Sequence, residues 1–582
     1  MLSLLEEFPG FVVESKYSSW DLLVAAASRG HEDAQHKLSV ALSTGIFEGS
    51  IVLMDSTRSL LLEYMAALSG HPEAAMGMGY RYSNGIGVVE SCEKALLFYE
   101  IAANHAVEYF EEKNGFVAQP DRSRLSESVD QSLKWLKESS NELTDYYAHL
   151  AASGESTAAS LLGNLYATGS RNIEPSEELA IHFLKMAVRL QYSQASGLLG
   201  YLLARRWHKH RSTLVQKKGQ PEEDFPPAKI FALMQNSLKS SDLNGIVGLG
   251  FCYMHGIGVE ANQTKALEIF HKVLPTHPDA GFYIGEIIMK SQLAKSTSSP
   301  SGSGWRNHEI ASALHAYSSA AQLGNILAQH RVAQMNTNGW GSSRSCESAV
   351  AGFKSVAERG PWAKKLSQAH RAFGAGDFGR ALQLFSSLAA VGYESAQYNA
   401  AFLLFKVHCP PVARRHADLT ELVVQKKDFE QEEAAFSPAN YVTSLSSRHW
   451  DASLPSALPH SQRANGSIAL DLHKYDCDAR ALSLFSLSAA QGNSDSYVQM
   501  GDFYYYRFAS FDQSRRIAAT YYQKAADLHN TQAIFNLGLM HEIGDGVNQD
   551  FHLAKRYYDL AAEVDAKART PRDIALLMLE VS

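Results

Sequence analysis

Apolar residues return along this chain at helical spacing, in short runs that come in pairs with a glycine turn between them. In KALLFYEIAA the small residues Ala95, Ala102 and Ala103 stand at i, i+7 and i+8, on one helical face, and Tyr99 shares that face. Small side chains there let neighbouring helices approach, and the tyrosine fills the gap between layers. Gly85 and Gly87 end the preceding helix and supply the positive φ of a tight interhelical turn. The same sentence is written three times: GYRYSNGIGVVESCEKALLFYEIAA, GFCYMHGIGVEANQTKALEIFHKVL and GLMHEIGDGVNQDFHLAKRYYDLAA.

One register position, near the end of each second helix, falls at Ala67, Ala103, Ala151, Val188, Leu238, Leu274, Ala321, Ala357, Ala389, Ala489, Ala526 and Ala562. The successive steps are 36, 48, 37, 50, 36, 47, 36, 32, 100, 37 and 36. Six are 36 or 37, and most of the others are that unit plus an insertion. A single helical pair cannot bury its apolar stripe, whereas stacked pairs can. The pattern predicts an all-α chain, an α-solenoid of about twelve helix-turn-helix repeats with inserted loops.

The insertions lie around residues 108–145, 205–225, 291–308 and 407–478. The third and fourth are rich in serine and proline and read as loops. The first carries some helical pattern in VDQSLKWLKES. Long inserts interrupt stacking, so the expected blocks are 1–107, a linker at 108–145, 146–406, a long insertion at 407–478, and 479–582.

Composition narrows the function classes. At 582 residues with 45% hydrophobic and 20% charged residues, the chain is a folded array of several modules. A net charge of −8 argues against a nucleic-acid binder, which would carry a basic balance. The N-terminal MLSLLEEFPGFVVESKY has no basic region followed by an apolar core, and no run of about 18 to 20 apolar residues occurs. No secretory signal and no membrane span are expected in this chain.

Candidate chemistry dissolves on inspection. The glycine pairs Gly85 and Gly87, Gly256 and Gly258, Gly544 and Gly546 follow helices, whereas a phosphate loop needs a strand before its glycines. All six are expected to be structural turn residues. His541 and Glu542 are followed by Ile543 and Gly544, so H-E-x-x-H is missing and His541 takes the core-facing slot of Tyr82 and Tyr253. The basic stretch RRWHKHR, Arg205–Arg211, reads as a solvated insertion loop. Glu111/Glu112 and Glu222/Glu223 lie in or beside linkers, which gives acid–base catalysis no support. No catalytic residue, metal site or cofactor is expected.

Tyr504 in DFYYYRF matches the repeat's structural slot, and Tyr505 and Tyr506 cannot share its face, so they are candidate partner anchors. Five cysteines lie far apart without a C-x-x-C. Cys92 and Cys346 hold one repeat position, six repeats apart, and an extended stack would keep their Cα atoms beyond the reach of a disulfide. Two sequons, Asn262-Gln-Thr264 and Asn465-Gly-Ser467, are glycosylation candidates if the chain enters the secretory pathway.

The repeat pattern, carried by MGYRYSNGIGV and FNLGLMHEIGDGV, resembles SEL-1-like repeats, relatives of the tetratricopeptide class. SCESAVAGFKSVAERGPW and GDFGRALQLFSSLAAVGYESAQYNAAFLL narrow the resemblance to the SEL-1/HRD-three adaptor subunits of HRD-type endoplasmic-reticulum ubiquitin ligases, over about residues 20–570. That resemblance implies a non-enzymatic adaptor on the luminal side of the endoplasmic-reticulum membrane. Its implied partners are a membrane RING-type ubiquitin ligase subunit, a luminal lectin and misfolded glycoprotein clients, with the last repeats nearest the ligase. The family has a signal and usually an anchor after the repeats, and neither is read in this chain. A luminal fragment, a truncated gene model or an isoform would account for that. The alternative is a cytosolic scaffold of the same repeats in signalling or cell-wall regulation.

Overall fold

A computed structural model describes residues 18–47, 50–117, 119–126, 140–169, 173–214, 226–237, 242–298, 307–405, 466–507 and 512–581. These hold 25 α-helices, joined mostly by short turns. Two-residue strands Ile46–Phe47 and Ser50–Ile51 pair antiparallel between two of the helices. The fold is all-α. Of the register positions, Leu238 lies outside the described residues, and each of the others falls in or directly after a separate second helix.

The repeat is built by one turn used again and again. Helix Pro72–Asn84 ends at Gly85 with φ 66°, and Gly87 has φ 70°. The Gly85 N–H donates to the Arg81 carbonyl, and the Ser91 N–H reaches back to the Tyr82 carbonyl at 2.9 Å. Ser91 then caps helix Cys92–Glu112 by accepting from the Lys94 N–H. The geometry recurs at Gly256 and Gly258 with cap Asn262, at Gly339 and Gly341 with cap Ser345, and at Gly544 and Gly546 with cap Asp550. Left-handed backbone at a helix end is costly for residues with a Cβ, so glycine stands there.

For Gly258 and Gly546 the turn expected from sequence is only half of the reason. Gly258, with φ 70°, lies against the preceding repeat so closely that a Cβ would stand 2.3 Å from the Pro227 carbonyl oxygen. Gly546, with φ 71°, does the same: a Cβ there would stand 2.5 Å from the Arg515 carbonyl carbon. Pro227 and Arg515 both lie near the start of the previous second helix, in Pro227–Ser237 and Asp512–Asp527. Gly258 and Gly546 are therefore contact points between repeats as well as turn residues. Gly87 is looser, with Leu60 3.8 Å from where its Cβ would be. The sequence shows the positive φ and not the backbone that approaches from another repeat.

A second device locks the two helices of a hairpin together. A first-helix glycine faces an aromatic ring of the second helix. A methyl at Gly250 would sit 2.5 Å from Phe270, one at Gly501 2.5 Å from Tyr522, and one at Gly538 2.7 Å from Tyr558. The ring fills the volume that the missing side chain leaves. The tyrosine hydroxyl then donates to a carboxylate on the first helix: Tyr522 to Asp502 at 2.7 Å and Tyr558 to Glu542 at 2.6 Å. Elsewhere on the hairpins a first-helix ring stacks flat on a second-helix ring, as Tyr82 does on Phe98, Tyr166 on Phe183 and Tyr504 on Tyr521.

The chain divides into two compact units: Met1–Pro120 with Ser139–Ala363, and Asp121–Glu138 with Lys364–Ser582. This differs from the blocks read from insert positions. The boundary at residue 363 falls inside the expected middle block, and residues 121–126 of the expected linker belong with the C-terminal unit. The long insertion does not separate helices either. Helix Glu394–Leu403 packs on helix Gly466–Ala490, so the last part of the stretch expected as loop is helical.

Within the first unit the stack folds back on itself. Helix Cys92–Glu112 lies along helix Cys346–Ala357, and Cys92 and Cys346 are joined by a disulfide with Cα atoms 6.1 Å apart. The expectation that an extended stack would hold them apart is wrong. One side of helix 92–112 is covered by a repeat far along the chain, at a sequence separation of 254. Beside the disulfide, Arg344 grips the Glu93 carboxylate with bonds of 2.7 and 2.9 Å, and His330 Nε2 lies 2.8 Å from Asn104 Oδ1.

Candidate interaction surfaces

The basic stretch is not a solvated loop. Helix Gln194–Leu214 runs through Arg205–Arg211. Lys209 Nζ donates to the carbonyls of Glu111 and Glu112, and Arg205 donates to the Asn114 carbonyl at 2.9 Å. Carbonyls at the end of a helix lack partners within it and carry partial negative charge, so cations satisfy them. Arg211 sits over the Trp207 ring, and the His208 ring lies 3.9 Å from that of His255, whose pKa burial pushes down to about 3. The positive charge of this stretch is spent on cohesion within the unit. Sequence periodicity missed it because the helix runs longer than its repeat.

Nearby, Tyr201 donates to Asp279 at 2.6 Å and meets the Tyr283 hydroxyl at 2.9 Å, while Asn325 donates to the other Asp279 oxygen at 2.8 Å. Burial, with Asp279 beside it, pushes the Tyr201 hydroxyl well above its ordinary range. The network ties successive repeats through one carboxylate. It has the chemistry of a structural pin: the hydroxyls stay protonated and donate.

The three glycine pairs stand in the turns that follow first helices. Gly85, Gly256 and Gly544 cap helices with left-handed backbone, and Gly258 and Gly546 add the close approach to the previous repeat described above. His541 is half-buried, its ring stacked on Tyr557 at 5.6 Å and its Nδ1 3.0 Å from the Asn548 carbonyl. Among the described residues no group of histidine, cysteine, aspartate and glutamate side chains could hold a metal ion.

The tyrosine candidates part company. Tyr506 is 61% exposed. Tyr505 turns inward against the core around Val498 and Tyr522. Burial and a hydrogen bond to Asp545 push its hydroxyl up to about 12. Asp545 in turn pairs with Arg515 at 2.6 Å. Asn262 is the cap of helix Gln263–Val273, with its Oδ1 accepting from Lys265 N–H and Thr264 Oγ1. Asn465 lies outside the described residues.

A surface not singled out in the sequence closes the C-terminal unit. Helix Arg569–Val581 presses Ala575, Leu576 and Leu579 on Tyr558 and Ala554. Its other side shows Ile574, Leu577 and Met578 at 56, 65 and 64% exposure. Exposed Ile543 and Phe551 stand on the repeat before it. The signal was legible: IALLML puts apolar residues on every side of the middle of this helix, so an apolar face remains after one side has packed on Tyr558. None of the described helices is long and apolar enough to cross a membrane.

Comparison with known proteins agrees with this architecture. The Sel1 repeat family matches at residues 72–107, 156–192, 245–272, 326–358, 494–530 and 531–564. Protein sel-1 homolog 2 of Homo sapiens is 28% identical over 99% of this chain and 70% of its own length. The ERAD-associated E3 ubiquitin-protein ligase component HRD3B of Arabidopsis thaliana is 26% identical over 96% of this chain and 75% of its own. The component HRD3 of Candida glabrata is 21% identical over 92% of this chain and 62% of its own. The chain carries Sel1 repeats along its length, and over nearly all of that length it is similar to the sel-1 homolog and HRD3 group.

Proposed function

We propose that this chain is a non-enzymatic adaptor of a ubiquitin ligase complex in endoplasmic-reticulum-associated degradation. The observation that carries the reading is similarity over nearly the whole chain to relatives named as components of such complexes. In finer detail, the repeats hold a membrane RING-type ligase subunit, a luminal lectin and misfolded glycoprotein clients at once. Several shallow surfaces on one chain raise the effective concentration of each partner for the others. The exposed apolar side of helix 569–581 is the face assigned to the ligase, with Tyr506 on the same C-terminal repeats as a further contact.

The disulfide between Cys92 and Cys346 favours an oxidising lumen over a cytosolic scaffold, because cytosolic thiols are kept reduced. In that compartment Asn262 and Asn465 become glycan acceptors, and an endoglycosidase-sensitive mass shift is expected. The decisive experiment is co-purification with the ligase subunit. Deletion of residues 490–582, and separately Ile574→Asp with Leu577→Asp, should abolish association. Unchanged recovery of the ligase with either variant overturns the reading.

A further inference from the structure

Six residues outside the repeat pattern lie across the C-terminal unit. Asp121–Ser126 come from the expected linker, yet Leu125 is 1% exposed and its N–H donates to Asn399 Oδ1 at 2.9 Å. Asn399 Nδ2 donates in return to the Ser123 carbonyl at 3.1 Å. One buried carboxamide therefore holds both a backbone donor and a backbone acceptor of the crossing segment. That contact reads polypeptide backbone and is indifferent to side-chain identity.

The side-chain contacts add selectivity. The Arg124 guanidinium pairs with Asp495 and lies 5.5 Å from the centre of the Tyr398 ring. Asp495 is aimed by Asn530, which donates to its other oxygen at 2.6 Å. The Tyr398 hydroxyl donates to Ser126 Oγ at 2.9 Å. The segment arrives with a bend already set, because Asp121 Oδ1 accepts from both the N–H and the hydroxyl of Ser123.

Two features separate this from ordinary core. Helices 394–403, 466–490 and Ser494–Arg507 already pack on one another in sequence, so the segment is laid on a stack whose hairpins are paired without it. Asn399 is 0% exposed in the middle of a helix, and its amide bonds to the crossing segment. Leaving a buried carboxamide without partners costs about 1–3 kcal/mol, so this position is kept for an occupant that brings a backbone.

We propose that the surface formed by Tyr398, Asn399 and Asp495 is a binding site for polypeptide segments bearing an arginine followed by an apolar residue, occupied in cis by residues 121–126. The site stands on this geometry alone, whichever complex the chain serves. Residues 121–126 act as a tethered pseudo-ligand: an incoming segment must displace them, so tethering raises the threshold for binding. The amide clamp supplies the sequence-tolerant part of recognition, and the Asp495–Tyr398 pair supplies the preference for arginine.

The test uses the full chain and a fluorescein-labelled peptide, QPDRSRLSE, which repeats residues 119–127. Releasing the tether with Arg124→Glu and Leu125→Asp should let the peptide bind at least about tenfold tighter than to the unchanged chain. Adding Asn399→Ala should remove that binding, and a peptide with its RL pair changed to ES should not bind. Absence of peptide binding to a released chain that still melts cooperatively overturns the proposal, as does loss of the folded state on release. Hydrogen exchange on the unchanged chain gives a second reading. Excess unlabelled peptide should speed exchange at the Leu125 amide, and an unaltered rate overturns displacement.

Discussion

The repeats at 494–564 and the seam between helices 92–112 and 346–357 are built from the same helices by opposite means. In the first, the contacts that build each hairpin and join it to the next lie within a few tens of positions: Gly501 with Tyr522, Gly538 with Tyr558, Gly546 with Arg515, Gly544 with the turn leading to the cap at Asp550. In the second, Cys92 meets Cys346, Glu93 meets Arg344, and Asn104 meets His330. The repeats specify themselves locally and redundantly. The seam joins two surfaces that each look like any other helix face, and it uses a covalent bond and a half-buried polar contact to choose one partner. Stacking explains how a repeat protein folds, and the seam explains how this one stops being a simple stack.

The largest expected effect falls on the seam. Cys92→Ser or Cys346→Ser removes a crosslink closing a 254-residue separation, which should cost the first unit about 2–5 kcal/mol. Differential scanning calorimetry with and without reductant should show the loss in the unit containing residues 139–363 and leave the C-terminal unit's transition in place. A matching fall in both transitions would break the contrast.

Next come the repeat locks. Gly501→Ala and Gly538→Ala each drive a methyl into a tyrosine ring, with an expected cost of about 1–3 kcal/mol. Chemical denaturation of the C-terminal unit reads it, and the two effects should add, because each lock serves its own hairpin. Strong coupling between them would mean that the repeats are less self-contained than their geometry.

A contact between neighbouring repeats gives a smaller and pH-dependent effect. His71 caps helix 72–84 by accepting from Ala74 N–H at Nδ1, and its Nε2 lies 3.1 Å from Asp33. Its ring stacks on His36, with Glu73 3.6 Å from His36 on the other side. Burial first, then the neighbouring imidazole, lowers the His71 pKa to about 4. The unfolded chain titrates this group near its ordinary value of 6.5, so between there and about 4 the unfolded state binds the proton that the folded state refuses. Stability is therefore full above that ordinary value and falls as the solution is acidified toward 4, by about 1–2 kcal/mol at about pH 5. His71→Ser keeps a cap and should flatten the acid limb of a melting-temperature profile.

The smallest effect belongs to a charge pair on the seam's rim. Glu93→Gln leaves Arg344 without its carboxylate, but both side chains are more than half exposed, and the expected loss is below about 1 kcal/mol. A loss as large as that of the disulfide variants would show that the pair, and not the crosslink, holds the seam.

Much of this molecule is written along the chain. The 36-residue step, the glycine turns and the alanine–tyrosine face place the helices and their order, because each depends on residues inside one hairpin. The same reading gave Tyr505 and Tyr506 equal standing, and only their surroundings separate them: Asp545 lies on a later repeat and draws Tyr505 inward. It took Gly258 and Gly546 for turn residues alone, because the backbone that crowds each of them belongs to the preceding repeat. It took RRWHKHR for a loop, because the carbonyls that its cations satisfy belong to the end of a much earlier helix.

Local hydrogen bonding, backbone conformation and side-chain volume within a hairpin were determined by the sequence alone. Which hairpins meet across long separations was decided by the tertiary structure. That choice joins Cys92 to Cys346 and lays Leu125 against Asn399. The physical reason is that a helix face declares what it must bury but not against what, and the partner is selected only when the whole stack has a shape.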